Sequence, residues 1–329
     1  MRNYGVTAML MKKINHTDLY LSSICLGTDD FGTTIEKKRA FDVLDYYHEN
    51  GGNVLDTARV YASWIPGGAG MSEKTIGEWM KARGARNDIV ISTKCAHPNL
   101  DSMQISRLGA EELESDVDQS LLALGVDCID LMWLHRDDVE RPVSEIMDSL
   151  NRIVKKGKVR YFGVSNWHGS RIEEANAFAN AENCIRLIAS QIKWSYAMTN
   201  PQYEEDPTLV EMDDIEKAFY QKSGIPVFAY ASQAKGFFAK FETGGIAALS
   251  HKAAERYCFD ENIRRYEKAK KLADELNVPI SSVVLGYITS RQDIKGFTIA
   301  GCKNIDQITD SISHSDIILT SEMIDYLEA

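Results

Sequence analysis

The chain of 329 residues is 44% hydrophobic, which provides ample apolar material for a large buried core. Its 48 acidic residues outnumber its 37 basic ones, and the formal net charge of -11 disfavours binding to nucleic acid. No apolar run approaches the roughly 18 residues of a membrane helix, and the start of the sequence lacks the features of a signal peptide. The six cysteines are scattered without a C-x-x-C pair, which favours free thiols and a cytoplasmic protein. We expect a small-molecule ligand, with no membrane or nucleic-acid partner; the oligomeric state is left open.

Along the chain, short apolar segments suited to buried strands alternate with longer segments of helical periodicity. The predicted strands cover residues 24–26, 54–56, 89–93, 129–135, 159–164, 188–192, 227–230 and 297–300. The predicted helices cover residues 36–50, 73–83, 111–124, 143–156, 170–180, 213–223, 262–276 and 304–313. Eight strand–helix units in succession predict an α/β fold, a (β/α)₈ TIM barrel.

Three segments lie outside this alternation. Residues 12–23 predict an N-terminal β-hairpin that closes the bottom of the barrel, and residues 321–329 predict an extra C-terminal helix. Residues 1–11 are expected to be a loosely ordered extension of a single domain that spans 1–329. Ser72, just before Glu73, is expected to cap the helix that follows. A doubly wound open sheet is the rival fold, but it would carry a G-x-G-x-x-G segment, and this sequence has none.

Polar residues follow several of the predicted strands. Asp56 ends the second strand, with Tyr61 shortly after it, while Lys94 follows the third strand and His135 ends the fourth. In a parallel barrel the carboxyl ends of the strands meet on one face, where active sites lie. The sequence therefore brings these four side chains toward a common site.

The four residue types suit the addition of hydride and a proton to a carbonyl. A tyrosine, with an ordinary pKa of about 10, exchanges protons near neutrality only if its phenolate is stabilised. The Lys94 ammonium supplies that stabilisation, and the Asp56 carboxylate fixes the position of the lysine. The imidazole N–H of His135 orients the carbonyl and stabilises its developing negative charge.

Longer segments extend this pattern over nearly the whole chain. In chain order they are GGNVLDTARVY (51–61), MSEKTIGEWM (71–80), VISTKC (90–95), DLMWLHRDD (130–138), VRYFGVSNW (159–167), QIKW (191–194) and TIAGCKN (298–304). Their content and order resemble the aldo-keto reductase family. The resemblance implies an oxidoreductase that interconverts a carbonyl and an alcohol with NADP(H), or with NAD(H) as the alternative.

The resemblance also implies roles for individual residues. Tyr61 would be the general acid/base, tuned by Lys94 and Asp56, and His135 would orient the carbonyl. Trp194 would stack on the nicotinamide ring. The implied cofactor-binding residues are Gly27, Thr28, Asp56, Ser165, Asn166, Gln191, Trp194, Tyr230, Ala231, Ser232, Gln233, Lys235, Gly236, Gly301, Lys303, Gln307 and Ser311.

Some positions depart from the family pattern. Ala231 stands where a phosphate-contacting serine is usual, with Ser232 beside it, and Ser311 stands where an asparagine is expected near the adenine. Lys303 suits a 2′-phosphate and favours NADP(H). The expected substrate pocket contains Asp30, Trp64, His135 and Arg136, and its polar character favours a sugar or a keto-sugar as the carbonyl substrate.

Two other functions fit parts of the sequence. A barrel aldolase would use Lys94 as a Schiff-base nucleophile, but such a lysine works best without a paired carboxylate. A redox-sensing regulatory subunit, similar to the channel β-subunits of the same family, would bind nicotinamide with little turnover. No metal site is expected, because Cys95 and His97 are too few ligands for zinc.

Overall fold

Eight parallel strands form a closed barrel in the structure, a computed structural model that describes residues 8–204 and 206–329. In chain order the strands are β1 (Met11–Lys13), β2 (Tyr20–Ser22), β3 (Ile24–Gly27), β4 (Val54–Asp56), β5 (Val90–Cys95), β6 (Ile129–Leu134), β7 (Val159–Ser165), β8 (Leu187–Lys193), β9 (Val227–Tyr230) and β10 (Gly296–Gly301). Strands β3 to β10 pair in sequence order, and β10 closes the barrel by pairing with β3. The predicted (β/α)₈ barrel is confirmed.

Helices surround the barrel and follow its strands. They are α1 (Lys37–Glu49), α2 (Met71–Arg83), α3 (Ala110–Leu124), α4 (Val143–Lys155), α5 (Gly169–Ala181), α6 (Asp214–Ser223), α7 (Phe237–Gly244), α8 (His251–Tyr257), α9 (Asp260–Leu276), α10 (Ile280–Thr289), α11 (Ile305–Ile312) and α12 (Ser321–Glu328). The final helix, α12, is the one predicted from residues 321–329.

The predicted hairpin forms at the amino ends of the barrel strands. Strands β1 and β2 pair antiparallel, and Ile14, Leu19 and Leu21 are buried in the same cluster as residues of the barrel strands. Lys12 Nζ also donates to the carbonyl oxygen of Gly296 at 2.9 Å. Because apolar side chains of the hairpin close this end of the barrel, the chemistry is left to the other end.

The start of the hairpin bears on the predicted extension over residues 1–11. Residues 1–7 lie outside the described part of the chain. Within the remainder, Met9 is buried and Met11 begins β1. Residues 9 and 11 therefore belong to the fold and not to a loose extension.

Aromatic rings fill the interior of the barrel. Phe228 and Phe297 stack with ring centroids 4.5 Å apart, and Trp133 meets Phe228 edge-on at 5.1 Å. Gly163 lies against the Trp133 ring, where a Cβ atom would overlap the indole. The Trp133 Nε1–H donates to Ser92 Oγ at 2.7 Å, so the packed interior ends in a polar group just below the site.

The helix that packs on the barrel between β9 and β10 is not the one that the sequence predicted. We expected residues 262–276 to pack on the barrel, but α10 contacts β10 and α11, and α9 lies outside it against α10 and α12. Every residue of α10 is buried. A helix that is buried on all sides shows no clear alternation of an apolar and a polar face, which is why the sequence pattern missed it.

Ser72 also has a different role from the predicted cap. Helix α2 begins at Met71, two residues before the predicted start, after Gly70 in a left-handed conformation, and Ser72 lies inside its first turn. The Ser72 hydroxyl donates to the Thr28 carbonyl oxygen at 2.7 Å and hydrogen-bonds Thr57 Oγ1 at 2.8 Å. It therefore ties together the segments that follow β3 and β4.

Gly77 tests the packing of α2 on α3. An alanine methyl there would overlap the carbonyl oxygen of Leu124, so we expect Gly77→Ala to lower the free energy of unfolding by about 1–3 kcal/mol. In an unobstructed helix interior the same change stabilises by roughly 1 kcal/mol. Urea denaturation distinguishes the two signs, with Lys74→Ala on the exposed face of α2 as control. A more stable Gly77→Ala variant would show that Gly77 does not lie close to the Leu124 carbonyl oxygen.

Candidate active site

A cavity of about 1270 Å³ opens at the carboxyl ends of the barrel strands. It exceeds the roughly 300–1,000 Å³ usual for small-ligand pockets and has room for an extended cofactor together with a substrate. The predicted site residues that line it are Gly27, Thr28, Asp30, Asp56, Tyr61, Lys94, His135, Arg136, Ser165, Asn166, Gln191, Tyr230, Ala231, Ser232, Gln233, Lys235, Gly236, Gly301, Lys303, Gln307 and Ser311.

The reactive centre of this cavity is a chain of three side chains. Lys94 Nζ lies 2.6 Å from Asp56 Oδ2 and 2.8 Å from the Tyr61 hydroxyl oxygen, and it also donates to the Thr57 carbonyl oxygen. The side chains of Asp56 and Lys94 are only 2% and 1% exposed. Ser92 Oγ donates to the other carboxylate oxygen of Asp56 at 2.9 Å. The lysine is thus held against the phenol by a fully hydrogen-bonded carboxylate.

Burial controls the protonation of this centre. It raises the pKa of Tyr61 well above the usual range, and the nearby carboxylates of Asp56 and Asp29 raise it further. Burial also lowers the pKa of Lys94, against the opposing effect of Asp56. The Tyr61 phenol therefore stays protonated, and its oxygen accepts a hydrogen bond from Lys94 Nζ. A group that donates a proton to a ligand must itself be protonated.

His135 completes the centre as a neutral imidazole. Burial, followed by the charges of Lys94 and Arg136, lowers its pKa well below the usual range. Its ring lies 6.2 Å from the Tyr61 ring, centroid to centroid. Its Nδ1 atom is buried without a hydrogen-bond partner among the described residues, which leaves Nε2 as the nitrogen available to the cavity.

Amide and hydroxyl groups line the wall next to this centre. Gln191 Nε2 donates to Asp56 Oδ1 at 2.9 Å, and Asn166 Oδ1 accepts from the Tyr230 hydroxyl at 2.7 Å. Asn166 has a φ of 59°, a left-handed conformation that asparagine adopts more readily than most residues other than glycine. Ser165 lies beside it, and Asn166 Nδ2 donates to its hydroxyl at 3.1 Å.

The far end of the cavity is basic. Lys235, Lys240 and Lys303 line it, and the charges of Lys303 and Lys235 add to burial in lowering the pKa of Lys240. Lys303 is also paired with Asp30 at 2.9 Å. An anion such as a phosphate would offset the repulsion that Lys240 experiences from the other two lysines. The backbone around them is also specialised, since Ala231, Lys235 and Gly236 all have positive φ.

Two predicted site residues lie elsewhere. Trp194 is 5% exposed and packs in a hydrophobic cluster, edge-on to Tyr287 at 6.4 Å, so it does not border the cavity. Trp64 is 55% exposed on the loop before α2 and does not border the cavity either. The stacking role is therefore withdrawn from Trp194, and Tyr230 is the aromatic residue that lines the wall beside Asn166.

The structure also adds Lys240 and Asn304 to the predicted set, since both line the cavity. Asp29, one of the charged groups expected near the mouth of the barrel, lines it as well. Lys240 was missed because helix α7 was not predicted, and its position five residues after Lys235 carries no recognisable pattern. Asn304 carried a usable signal, because an asparagine before a helical segment is a favoured cap, and its side chain accepts from Gln307 N at the start of α11.

Other kinds of site receive no support from the described residues. They contain no group of three or more His, Cys, Asp or Glu side chains placed to hold a metal ion. In the same part of the chain, every helix is too short or too polar to cross a membrane.

A second cavity of about 600 Å³ lies at the amino ends of the strands, where Arg86 and Arg160 are paired with Asp130.

The fold and the site together define a barrel enzyme with a buried Asp–Lys–Tyr centre at the wall of a cavity of about 1270 Å³. Residues 23–329 match the model of the Aldo/keto reductase family. Norsolorinic acid reductase B of Dothistroma septosporum is 28% identical over 325 residues, which cover 94% of this chain and 78% of the relative.

Two further relatives match along almost their whole length. Uncharacterized oxidoreductase YrpG of Bacillus subtilis is 28% identical, with 94% of this chain and 92% of the relative covered. Probable voltage-gated potassium channel subunit beta of Oryza sativa is 27% identical, with 98% and 96% covered. The chain belongs to the aldo/keto reductase family. It is an NAD(P)-dependent oxidoreductase, as the family and the oxidoreductase names of its relatives indicate.

The lowered pKa of His135 predicts a pH effect on stability. The folded chain holds this imidazole neutral, whereas the unfolded chain protonates it below a pH of about 6.5. Stability is therefore lost as the pH falls through that value, by about 1.4 kcal/mol at pH 5.5. Urea denaturation at pH 7.5 and 5.5 should show a larger loss for the wild type than for His135→Gln. Equal losses would contradict the neutral buried imidazole.

Proposed function

We propose that the protein reduces an aldehyde or ketone with NADPH, and catalyses the reverse oxidation, with Tyr61 as the general acid/base. The observation that carries this proposal is the Lys94 ammonium between the Asp56 carboxylate and the Tyr61 hydroxyl, at 2.6 Å and 2.8 Å, at the wall of a cavity of about 1270 Å³. The cofactor, when bound, supplies the hydride.

The side chains of the reactive centre supply the proton and stabilise the charges that develop. The Tyr61 hydroxyl donates its proton to the carbonyl oxygen, and Lys94 Nζ stabilises the phenolate that remains. Asp56 keeps Lys94 in place and charged. The neutral His135 donates from Nε2 to the same carbonyl oxygen and stabilises the negative charge that develops there.

The cavity wall supports a nicotinamide cofactor. The amide-containing side chains of Asn166 and Gln191 match the hydrogen-bonding groups of a carboxamide, and the Tyr230 ring offers a face for stacking. The basic end, with Lys235, Lys240 and Lys303, suits phosphate groups. We assign the 2′-phosphate of NADP(H) to Lys303, which lies 2.9 Å from Asp30 in this structure.

A Schiff-base role for Lys94 is disfavoured by the same contacts. A nucleophilic lysine must be a neutral amine, but Asp56 stabilises the ammonium at 2.6 Å. A redox-sensing subunit remains the second candidate function. It is favoured by the likeness to the potassium channel β-subunit over nearly the full length of both chains.

Tyr61→Phe tests the proton donor. We expect turnover to fall by about 10²–10⁴, because the general acid is lost while the ring and the cavity are kept. The dissociation constant for NADPH, measured by quenching of tryptophan fluorescence, should stay within about twofold, since the phenol is not assigned to the cofactor. Tyr20→Phe, at an exposed tyrosine on β2, is the matched control and should retain wild-type activity. Full turnover in Tyr61→Phe would overturn the assigned mechanism.

Lys303→Ala tests the preference for NADPH. Loss of a charge-assisted contact to the 2′-phosphate should weaken NADPH binding about tenfold or more and leave NADH binding nearly unchanged. Fluorescence titration with each cofactor measures both constants, and Lys74→Ala on the exposed face of α2 serves as control. Equal losses for NADPH and NADH would show that Lys303 does not bind the 2′-phosphate.

A further inference from the structure

One carboxylate in the cavity has no role in the mechanism above. Asp29 follows Thr28 at the carboxyl end of β3, and its side chain is accessible from the cavity. The neighbouring Asp30 is occupied by Lys303 at 2.9 Å. Asp29, in contrast, forms no side-chain hydrogen bond to another residue and no ion pair within the described residues, and burial together with the charge of Asp30 raises its pKa. Its carboxyl group is therefore an acceptor that no neighbouring side chain occupies.

Asp29 lies on the reactive part of the cavity. Gly27 pairs with Asp56 across β3 and β4, and the Thr28 N–H donates to the Asp56 carbonyl oxygen at 3.1 Å, so Asp29 follows directly after a segment held against Asp56. Asp29 and Arg136 line the same cavity as Tyr61. Their charges act on the pKa of Tyr61 with opposite signs.

Arg136 is held in a fixed orientation. Its Nε donates to Thr208 Oγ1 at 3.0 Å and its Nη1 to the His135 carbonyl oxygen at 2.9 Å. Its Nη2 lies 3.7 Å from Asp206, a long contact that leaves donor capacity toward the cavity. The guanidinium is thus a fixed donor, as Asp29 is a free acceptor.

The pair of charges limits the chemistry of the substrate. A cationic substrate would be attracted by Asp29 but repelled by Arg136 and Lys94, and an anionic one would meet Asp29 and Asp30. A neutral group that both donates and accepts hydrogen bonds suits both Asp29 and Arg136. A hydroxyl is such a group, since its hydrogen donates to a carboxylate and its oxygen accepts from a guanidinium.

We propose that Asp29 is a specificity-determining residue that binds hydroxyl groups of the substrate close to its carbonyl, so that the enzyme selects hydroxylated aldehydes and ketones over unsubstituted ones. This inference rests on the proposed function and deepens it. A site built to hydrogen-bond a substrate hydroxyl discriminates against the analogue that lacks it, because its polar groups are then left unpaired.

The test compares two three-carbon aldehydes, glyceraldehyde and propanal, which differ in their hydroxyl groups. The ratio of their kcat/KM values is measured with NADPH for the wild type, Asp29→Asn and Asp325→Asn. We expect the wild type to prefer glyceraldehyde, and Asp29→Asn to reduce that preference by about tenfold, because the asparagine oxygen still accepts a hydrogen bond and only the charge is lost. Asp29→Asn should bind NADPH like the wild type. Asp325→Asn, the same change at an exposed residue of α12 outside the cavity, should keep the substrate preference.

Each other result contradicts the inference in a distinct way. If Asp29→Asn lowered kcat/KM equally for both aldehydes, Asp29 would act only through the pKa of Tyr61, and if it changed neither kcat/KM value, Asp29 would have no role in substrate binding. If the wild type reduced propanal but not glyceraldehyde, the inference would fail while the proposed function stood. If it bound NADPH and reduced neither aldehyde nor any other carbonyl, both would fail.

Discussion

The buried ion pair between Asp56 and Lys94 is the interaction on which the site depends. Taking both charges out of water costs several kcal/mol per ion, and removing one partner of such a pair costs about 3–5 kcal/mol. The pairing register of the barrel strands offsets this cost, because it places hydrogen-bonding partners around the ion pair. Asp56 lies opposite Ser92 on the paired strands β4 and β5, and Lys94, two residues on, faces the same side. Ser92 and Gln191 then satisfy the remaining carboxylate oxygen.

The titratable groups of the cavity are arranged around this ion pair. Its centre holds a phenol whose pKa is raised and an imidazole whose pKa is lowered, both mainly by burial. A neutral proton donor and a neutral carbonyl-orienting group suit the reduction of an uncharged carbonyl. The far end holds three lysines, Lys235, Lys240 and Lys303, which suit phosphates. Under the proposed function, Tyr61 and His135 serve the chemistry and the three lysines serve cofactor binding, and Asp29 and Arg136 line the same cavity.

Much of this arrangement was predictable from sequence, for reasons that are local. Buried parallel strands are apolar runs, and a polar residue at the end of such a run, such as Asp56 or His135, marks the face where sites form. Helix α10 was not predictable, because a helix buried on every side has no periodic pattern. The misplacement of Trp194 has a similar cause: the end of β8 gives its position in the chain but not the direction of its ring. Contacts such as Asp30 with Lys303 join residues 273 positions apart and follow only from barrel closure.

The most direct test of the central claim is whether hydride leaves the cofactor for a carbonyl carbon at this site. The protein is incubated with glyceraldehyde or propanal and NADPH that carries deuterium at the reactive carbon of the nicotinamide, and the alcohol is analysed by mass spectrometry. The account predicts one deuterium in the alcohol from the wild type and a strongly reduced yield from Tyr61→Phe. Tight binding of NADPH without deuterium transfer to any carbonyl would contradict it and favour a regulatory, nicotinamide-sensing protein.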